Sequence, residues 1–316
     1  MPIDTLTVTL NPTLDISTSL PRLIEHAKLR CAPEQEQVGG GGINVAHVID
    51  SLGGACKAML PVGGARGQDI LQRLTDLGLE CVTSTIAQSS RQCFTVYETE
   101  TDHEYRFVLP GPTLVATELD ACVAAILENL PTRFLVLSGS LPPGAPAAFY
   151  ATVIKAVQHK AADLRIVVDT GGQPLAAALQ AGVYLIKPSR EEFCELIARQ
   201  PEDITGYIDA CRELITQGCT QVVALTLGAE GSIVVARDEA WRVAPLAVKI
   251  SSTVGAGDSF VGGFVWSMTQ RDDLAQAARF GAAAAWAALQ TQGSLRFNAS
   301  QIEQVSRAVE VWEVNT

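Results

Sequence analysis

The chain reads as an α/β protein: a mostly parallel central sheet covered by helices, with a second, small β-sheet beside it. Two features predict the large sheet. Short apolar strand-like runs alternate with helical stretches over most of the chain, and polar clusters follow the ends of successive runs, where open parallel sheets bind ligands. A third feature predicts the small sheet: two extended regions within residues 11–37 and 88–110 carry no helix of their own. The expected partition is a core of residues 1–10, 38–87 and 111–316, and a lid of residues 11–37 and 88–110.

With 316 residues, 47% of them hydrophobic and 18% charged, the chain can bury one large core with an appendage. A net charge of −11 speaks against nucleic acid or an anionic membrane as partner. The first residues lack the basic start of a signal peptide, and no run reaches the ~18 uncharged apolar residues of a spanning helix. The expected address is the cytoplasm. Eight cysteines without a C-x-x-C pair, and four histidines without ligand spacing, point to reduced and mostly buried thiols rather than disulfides or zinc.

In chain order, Thr5 to Leu10 alternates as a half-buried strand and runs into the polar cluster Asn11 to Asp15. Asp15 can cap a turn or accept hydrogen bonds from sugar hydroxyls. Lys28-Leu29-Arg30 has strand character, which would put both basic side chains on one side. Gly39-Gly40-Gly41-Gly42 then opens a helix with apolar Ile43, Val45, Ala46, Val48, Ile49 and Leu52. A dinucleotide loop needs a strand directly before its glycines, and Pro33 to Gln37 reads as a poor one. A polyol lying on the helix start is therefore the preferred reading, with Asn44 offering a donor and an acceptor to vicinal hydroxyls.

Strand Lys57 to Val62, helix Gln68 to Leu77 and strand Cys81 to Thr85 follow. Gln92 to Thr99 and Glu104 to Val108 then form a hairpin, the expected heart of a small antiparallel sheet. Alternation puts Glu104 and Arg106 on one face and Tyr105 and Phe107 on the other, and Arg91 adds to a small basic face. The apolar face needs a cover, which the core or a second copy of the chain can supply.

Beyond Pro112 the alternation is regular. Helix Glu118 to Leu130 leads to strand Phe134 to Ser138, helix Ala147 to Lys160 to strand Arg165 to Asp169, and strand Tyr184 to Ile186 to Lys187-Pro188-Ser189. Strand Val222 to Thr226 returns as Ser232 to Ala236 around Gly228 and Gly231, whose backbone can admit a phosphate or nucleotide. Leu274 to Leu289 is Ala-rich and reads as a buried helix.

The chain is organised around Ser252-Thr253-Val254-Gly255-Ala256-Gly257-Asp258-Ser259, followed directly by the apolar run Phe260 to Met268. Gly255 and Gly257 let backbone N–H groups approach an anion, and the helix behind them adds its positive dipole end. Asp258 is then placed to take a proton from a substrate hydroxyl while the amides of Gly255, Ala256 and Gly257 hold a transferring phosphoryl group. A glycine turn whose Asp merely caps a helix fits the same eight residues.

Thr253 to Phe260, Gly39 to Ala46, Ser138-Gly139-Ser140-Leu141-Pro142-Pro143-Gly144 and Lys187-Pro188, in this order across nearly the whole chain, resemble the ribokinase-like sugar kinases, and within them the phosphofructokinase B family. The resemblance implies an α/β/α core with a β-sheet lid, Mg-ATP as donor, Asp258 as catalytic base and a sugar phosphate as acceptor. It implies that Asp15, Gly40, Gly41, Asn44 and Ser140 line the sugar, with Lys28, Arg30, Arg91 and Arg106 at its phosphate, some reaching in from a partner's lid. It places Lys187, Ser189, Thr226, Gly228, Gly231 and Val254 at the nucleotide and Asp169 and Glu192 at Mg²⁺. It adds a K⁺ site near Ser252, Val254 and Gly293, and a homodimer joined through the lids. Ser189 departs from the family, which usually has Asn there. The favoured activity is phosphorylation of fructose 6-phosphate, with 1-phosphofructokinase or tagatose-6-phosphate kinase as alternatives and a non-catalytic sugar-phosphate-binding regulator as the reading from another class.

Overall fold

A computed structural model describes residues 3–290 and 297–314. The strands are β1 Thr5–Val8, β2 Thr13–Leu20, β3 Gln35–Gly39, β4 Cys56–Val62, β5 Cys81–Thr85, β6 Arg91–Glu98, β7 His103–Phe107, β8 Phe134–Ser138, β9 Arg165–Asp169, β10 Val183–Ile186, β11 Thr220–Thr226, β12 Ser232–Val235, β13 Ala240–Val243 and β14 Val311–Glu313. The helices are α1 Gly41–Ser51, α2 Gly64–Asp76, α3 Ala116–Glu128, α4 Phe149–Lys160, α5 Gly172–Gln180, α6 Arg190–Ile197, α7 Ile204–Thr216, α8 Ala256–Gln270, α9 Leu274–Leu289 and α10 Ala299–Ala308.

The large sheet is ten-stranded, in the order β14-β13-β12-β11-β10-β9-β8-β1-β4-β5. From β5 to β11 all pairings are parallel, and β12 to β14 close one side as antiparallel strands. The parallel strands are short apolar runs because both of their faces are buried. In β8, Leu135 and Leu137 enter one core with α3, α4, α5 and α7, while Phe134 and Val136 enter the other with α1, α2, α8 and α9. This two-sided core is the predicted α/β class. The chain leaves β1 toward β4 on one side and returns to β8 on the other, so the sheet's topological switch point lies between β1 and β8.

Two strands of the small sheet pair differently from expectation. Its order is β3-β2-β6-β7, and the central β2–β6 pair is parallel, so the sheet is mixed rather than antiparallel. The cause is the path of the chain: β2 and β6 each run out from the core and β3 and β7 bring it back, and the two outgoing strands lie side by side. Pro33 to Gln37 also holds more strand than its composition suggests, because β3 supplies the return pairing for β2. Lys28-Leu29-Arg30 does not form a strand; it lies on the exposed loop between β2 and β3.

Register sets the faces. Ile16, Phe94 and Phe107 stand opposite one another, as do Val96 and Tyr105, and together form the outer face. Phe94 and Tyr105 are each 37% exposed and Phe107 50%, so the core does not cover this face. Asp15, Cys93, Arg91 and Arg106 occupy the other face, and Asp15 feels both arginines. The eight cysteines are free thiols, most of them buried or half-buried, but Cys31 is exposed because the β2–β3 loop has no core beneath it. No described helix is long and apolar enough to cross a membrane.

Candidate active site

Four strand ends meet at the carboxyl edge of the sheet. Ser138 ends β8, Asp169 ends β9, Lys187 follows β10 and Thr226 ends β11, and the amino ends of α1 and α8 face them. A cleft of about 580 Å³ runs among Ser140, Asp169, Lys187, Glu192, Gly257 and Asp258.

Gly255 has φ of +75°, a left-handed turn that favours glycine, and it brings the chain from the loop into α8. Ser259 closes that turn, its N–H and hydroxyl both donating to the Gly255 carbonyl at 2.8 and 2.7 Å. Asp258 therefore stands in the first turn of α8 with its carboxylate turned to α1, where Asn44 Nδ2 donates to Asp258 Oδ2 at 2.8 Å. The capping alternative drops out, since the N-cap of α8 is Gly255 and no side chain caps it.

The four glycines at the start of α1, Gly39 to Gly42, each answer a contact. A side chain on Gly39 would meet Asp15 Oδ2 at 2.1 Å, and one on Gly40, whose φ is +138°, Thr9 Cγ2 at 2.5 Å. On Gly41 it would meet Ser138 Oγ at 2.2 Å and Asp258 Oδ1 at 3.0 Å; on Gly42, the Val8 carbonyl at 2.6 Å. The run is thus a close-packed junction of β1, the small sheet and the Asp258 carboxylate. Thr9 Oγ1 accepts from the Ile43 N–H at 2.9 Å and satisfies one of the free donors at the start of α1.

Lys187 is buried and pairs with Asp169 at 3.2 Å, and a side chain on Gly257 would lie 3.1 Å from its ammonium. One cation thus sits over the amino end of α8. Burial pushes the Asp169 carboxyl up to about 6, against the pull of Lys187 and with the help of Asp258 and Glu192. Lys187 is held above its ordinary range by Asp169, Glu192 and Asp258, which together outweigh burial, the largest single influence. Glu192 is oriented by Ser189: the serine N–H donates to Glu192 Oε2 at 2.8 Å and its hydroxyl accepts from the Glu192 N–H at 3.2 Å. This reciprocal capping box starts α6, so the residue in place of the usual Asn has a structural part to play.

Gly228 and Gly231, the glycines expected at the nucleotide, form a tight return. They have φ of +61° and +87°, and Leu227 N–H donates to the Gly231 carbonyl at 2.8 Å. Thr226 N–H donates to the Pro188 carbonyl at 3.1 Å, strapping this turn to the Lys187 segment. Arg190 adds a second strap through Glu230 at 2.5 Å.

Of the residues expected at the sugar and its phosphate, Asp15 feels both Arg106 and Arg91, whereas Lys28 and Arg30 are exposed on their loop and are not among the charges that act on Asp15. Arg91 donates to the Asn11 and Leu109 carbonyls at 3.0 and 3.4 Å, and its Nε is buried without a partner. Burial raises the Asp15 carboxyl despite Arg106 and Arg91, and its Oδ1 also lacks a partner. Ser140 accepts from Asn11 Nδ2 at 3.2 Å. Near the loop before α8, Ser252 Oγ accepts from the Val254 N–H at 3.2 Å; Gly293 lies outside the described residues. Sequence reasoning missed Asn11, Ser138 and Tyr150. Asn11 and Ser138 follow or end strands beside the switch point, which was a usable signal. Tyr150, a core residue of α4 whose hydroxyl donates to the Gly139 carbonyl at 3.0 Å, left none.

A parallel sheet whose carboxyl edge presents a carboxylate at a helix amino end, a buried lysine over the same end and a small covering sheet defines a phosphotransferase acting on an alcohol group. The chain belongs to the pfkB family of carbohydrate kinases, whose family model matches residues 13–300. It is 37% identical over 292 residues to ATP-dependent 6-phosphofructokinase isozyme 2 of Escherichia coli, covering 91% of this chain and 93% of that one. A 1-phosphofructokinase of Xanthomonas campestris is 31% identical over 99% of this chain and all of its own. Phosphofructokinase-2 from Escherichia coli in complex with potassium superposes with a TM-score of 0.91 at 34% identity, over 98% of this chain and 99% of that one. The tetrameric inhibited form of the same enzyme superposes at 0.90 with 34% identity, over 97% and 99%. These matches carry the ribokinase-like fold across the whole chain.

Proposed function

We propose that the chain is an ATP-dependent 6-phosphofructokinase, transferring the γ-phosphoryl group of ATP to the O1 hydroxyl of fructose 6-phosphate. The observation that carries this reading is the Asp258 carboxylate, held by Asn44 at one oxygen and facing the cleft beside Gly41 with the other, at the amino end of α8. The neutral hydroxyl is a poor nucleophile, and Asp258 takes its proton as the new O–P bond forms. The N–H groups of Gly255, Ala256 and Gly257 and the Lys187 ammonium hold the charge of the phosphoryl group in transfer. Asp15, Gly40, Gly41, Asn44 and Ser140 orient the sugar, and Arg91 and Arg106 clamp its phosphate with the planar donors suited to that ion. Ser189, Thr226, Gly228, Gly231 and Val254 line the nucleotide.

Magnesium fits the donor set as an ion carried in on nucleotide phosphates, because Asp169 and Glu192 each keep one carboxylate oxygen outside their internal bonds and no described cluster of three or more ligands forms a full cage. When bound it would neutralise phosphate charge. Potassium bound near Ser252 and Val254 would tighten the loop that feeds α8.

The residues 11–37 and 88–110 act as a lid, and its outer face, with exposed Phe94, Tyr105 and Phe107 beside half-buried Ile16, suits a second lid, giving a homodimer. Lys28 and Arg30, exposed on the β2–β3 loop, would then be free to serve the partner's phosphate site. Sedimentation tests this: a dimer or a dimer of dimers is expected, and Phe107→Asp should yield monomers. A monomeric wild type at micromolar concentration refutes it. Phosphorus NMR of the product tests the activity itself, which should yield fructose 1,6-bisphosphate and ADP in equal amounts.

A further inference from the structure

We propose that Tyr150 is a positioning residue for the sugar acceptor: its hydroxyl fixes the peptide between Gly139 and Ser140 so that the Ser140 N–H faces the cleft. This rests on the kinase reading above, and it adds to the sugar side a backbone donor and the buried side chain that aims it.

Tyr150 lies in the first turn of α4 and is among the largest fully buried side chains of the protein. Its hydroxyl donates to the Gly139 carbonyl at 3.0 Å. Gly139 is the first residue past β8, with φ of +100°, and its own N–H donates to the Asp169 carbonyl at 2.9 Å. Both polar groups of this glycine are therefore engaged, one by β9 and one by α4. In a trans peptide the carbonyl and the N–H that follows it point to opposite sides. With the Gly139 oxygen drawn toward buried Tyr150, the Ser140 N–H points away from that core, where Ser140 is exposed and lines the cleft with Gly139 and Leu141. Among the described residues no protein group accepts that N–H, while the Ser140 hydroxyl accepts from Asn11 Nδ2 at 3.2 Å. A free N–H at the wall of a cleft is a donor for a ligand oxygen.

The peptide needs such a tie. Glycine backbone turns at little cost, and a side chain on Gly139 would meet nothing nearer than the Gly41 nitrogen at 3.5 Å, so packing alone does not lock the plane. Three prolines, Pro142, Pro143 and Pro146, stiffen the stretch that leads to α4, and Leu114 N–H donates to the Pro143 carbonyl at 2.9 Å. None of these restraints reaches Gly139. Tyr150 is the one described donor to its carbonyl. Burial, helped by the nearby Asp169 carboxylate, pushes the Tyr150 phenol up, so the hydroxyl keeps its proton and remains a donor. A phenylalanine ring would fill the same core space, and what the hydroxyl adds is the Gly139 bond. The position matters for the reaction because a side chain on Gly41 would lie 3.0 Å from both the Gly139 nitrogen and Asp258 Oδ1. The aimed peptide thus borders the place where the accepting hydroxyl meets the base.

Tyr150→Phe removes the hydroxyl alone and tests the assignment. Steady-state kinetics should show KM for fructose 6-phosphate raised about five- to tenfold, the worth of about one neutral hydrogen bond, with KM for ATP changed less than about twofold. Val153→Ala, one turn further along α4 and fully buried in the same core, is the control for simple loosening. It should lower Tm at least as far as Tyr150→Phe and leave KM for the sugar within about twofold. Crystals of Tyr150→Phe should show the Gly139 carbonyl turned from its present direction. A rise in sugar KM below about fivefold overturns the proposal, as does an equal rise for ATP or a rise above about twofold in Val153→Ala. A Gly139 carbonyl that keeps its direction without the hydroxyl overturns it too. Tyr150→Met, with a flexible apolar side chain, takes the place of Tyr150→Phe if that variant does not fold, with the same thresholds. A wild type that turns over a different sugar phosphate moves the KM test to that sugar. A wild type that turns over none removes the kinase reading, and the direction of the Gly139 carbonyl in the variant crystals then decides the positioning role by itself.

Discussion

Gly41→Ala is a change of one methyl group with two opposing consequences. As the first residue of α1, Gly41 gains from alanine about 0.5–1 kcal/mol of helix propensity. Against that, the new Cβ would lie 2.2 Å from Ser138 Oγ, 3.0 Å from the Gly139 N–H nitrogen and 3.0 Å from Asp258 Oδ1. Carbon and oxygen in ordinary contact stand about 3.5 Å apart, so more than 1 Å must be found against Ser138. Ser138 is buried and paired with Asp169 in the sheet register, so β8 cannot yield cheaply. Overpacking of this kind costs about 1–3 kcal/mol, which exceeds the propensity gain over most of that range and should lower Tm by about 1–4 °C. The catalytic loss should be larger than the loss of stability. If Asp258 or the start of α1 moves by about 1 Å, alignment worth about a hundredfold in rate is lost. The expected result is a folded variant with kcat down about 100-fold in an ADP-release assay. Adding Ser138→Ala, which removes the oxygen at 2.2 Å, should restore much of the lost Tm. Wild-type kcat in Gly41→Ala, or a double variant no more stable than the single one, would refute the packing argument.

Three further expectations follow from the same site. Asp258→Asn removes the proton acceptor and should lower kcat by about two to four powers of ten with a smaller change in KM, as steady-state kinetics will report. Arg106→Ala should raise KM for fructose 6-phosphate about tenfold for each ~1.4 kcal/mol of lost clamp while KM for ATP barely moves. Asp169 has a folded-state pKa raised to about 6, so below that pH it binds a proton that any metal must displace. Apparent Mg²⁺ affinity should therefore be flat above about pH 7 and weaken, by up to about tenfold per unit, as the pH falls through 6 toward 5; affinity that strengthens on acidification contradicts the assignment.

The large sheet was legible because its strands are short apolar runs followed by polar residues. Phe134 to Ser138, Arg165 to Asp169 and the helix Leu274–Leu289 can be read to the residue from that pattern. The lid was less legible. Gln35–Gly39 is polar and follows a proline, yet it forms a strand because β2 offers it a partner, and pairing partners are not visible in a local window. The parallel β2–β6 contact is likewise a consequence of two separate chain excursions docking. At the site, the loop Gly255 to Asp258 announced itself through its glycines, but the contact that holds the base did not. Asn44 and Asp258 lie 214 residues apart, and only the packing of α1 on α8 brings them to 2.8 Å. Lys28 and Arg30 show the opposite limit: their charge suggested a phosphate clamp, but their loop leaves them exposed and away from Asp15 within one chain.

The most direct test of the account is the rate of ADP release by the wild-type enzyme with Mg-ATP and four sugars at equal concentration: fructose 6-phosphate, tagatose 6-phosphate, fructose 1-phosphate and free fructose. A clamp of Arg91 and Arg106 on the lid face that carries Asp15 predicts fastest turnover with fructose 6-phosphate and the slowest with free fructose, which has no phosphate to hold. Faster turnover of fructose 1-phosphate or free fructose than of the 6-phosphates would contradict it.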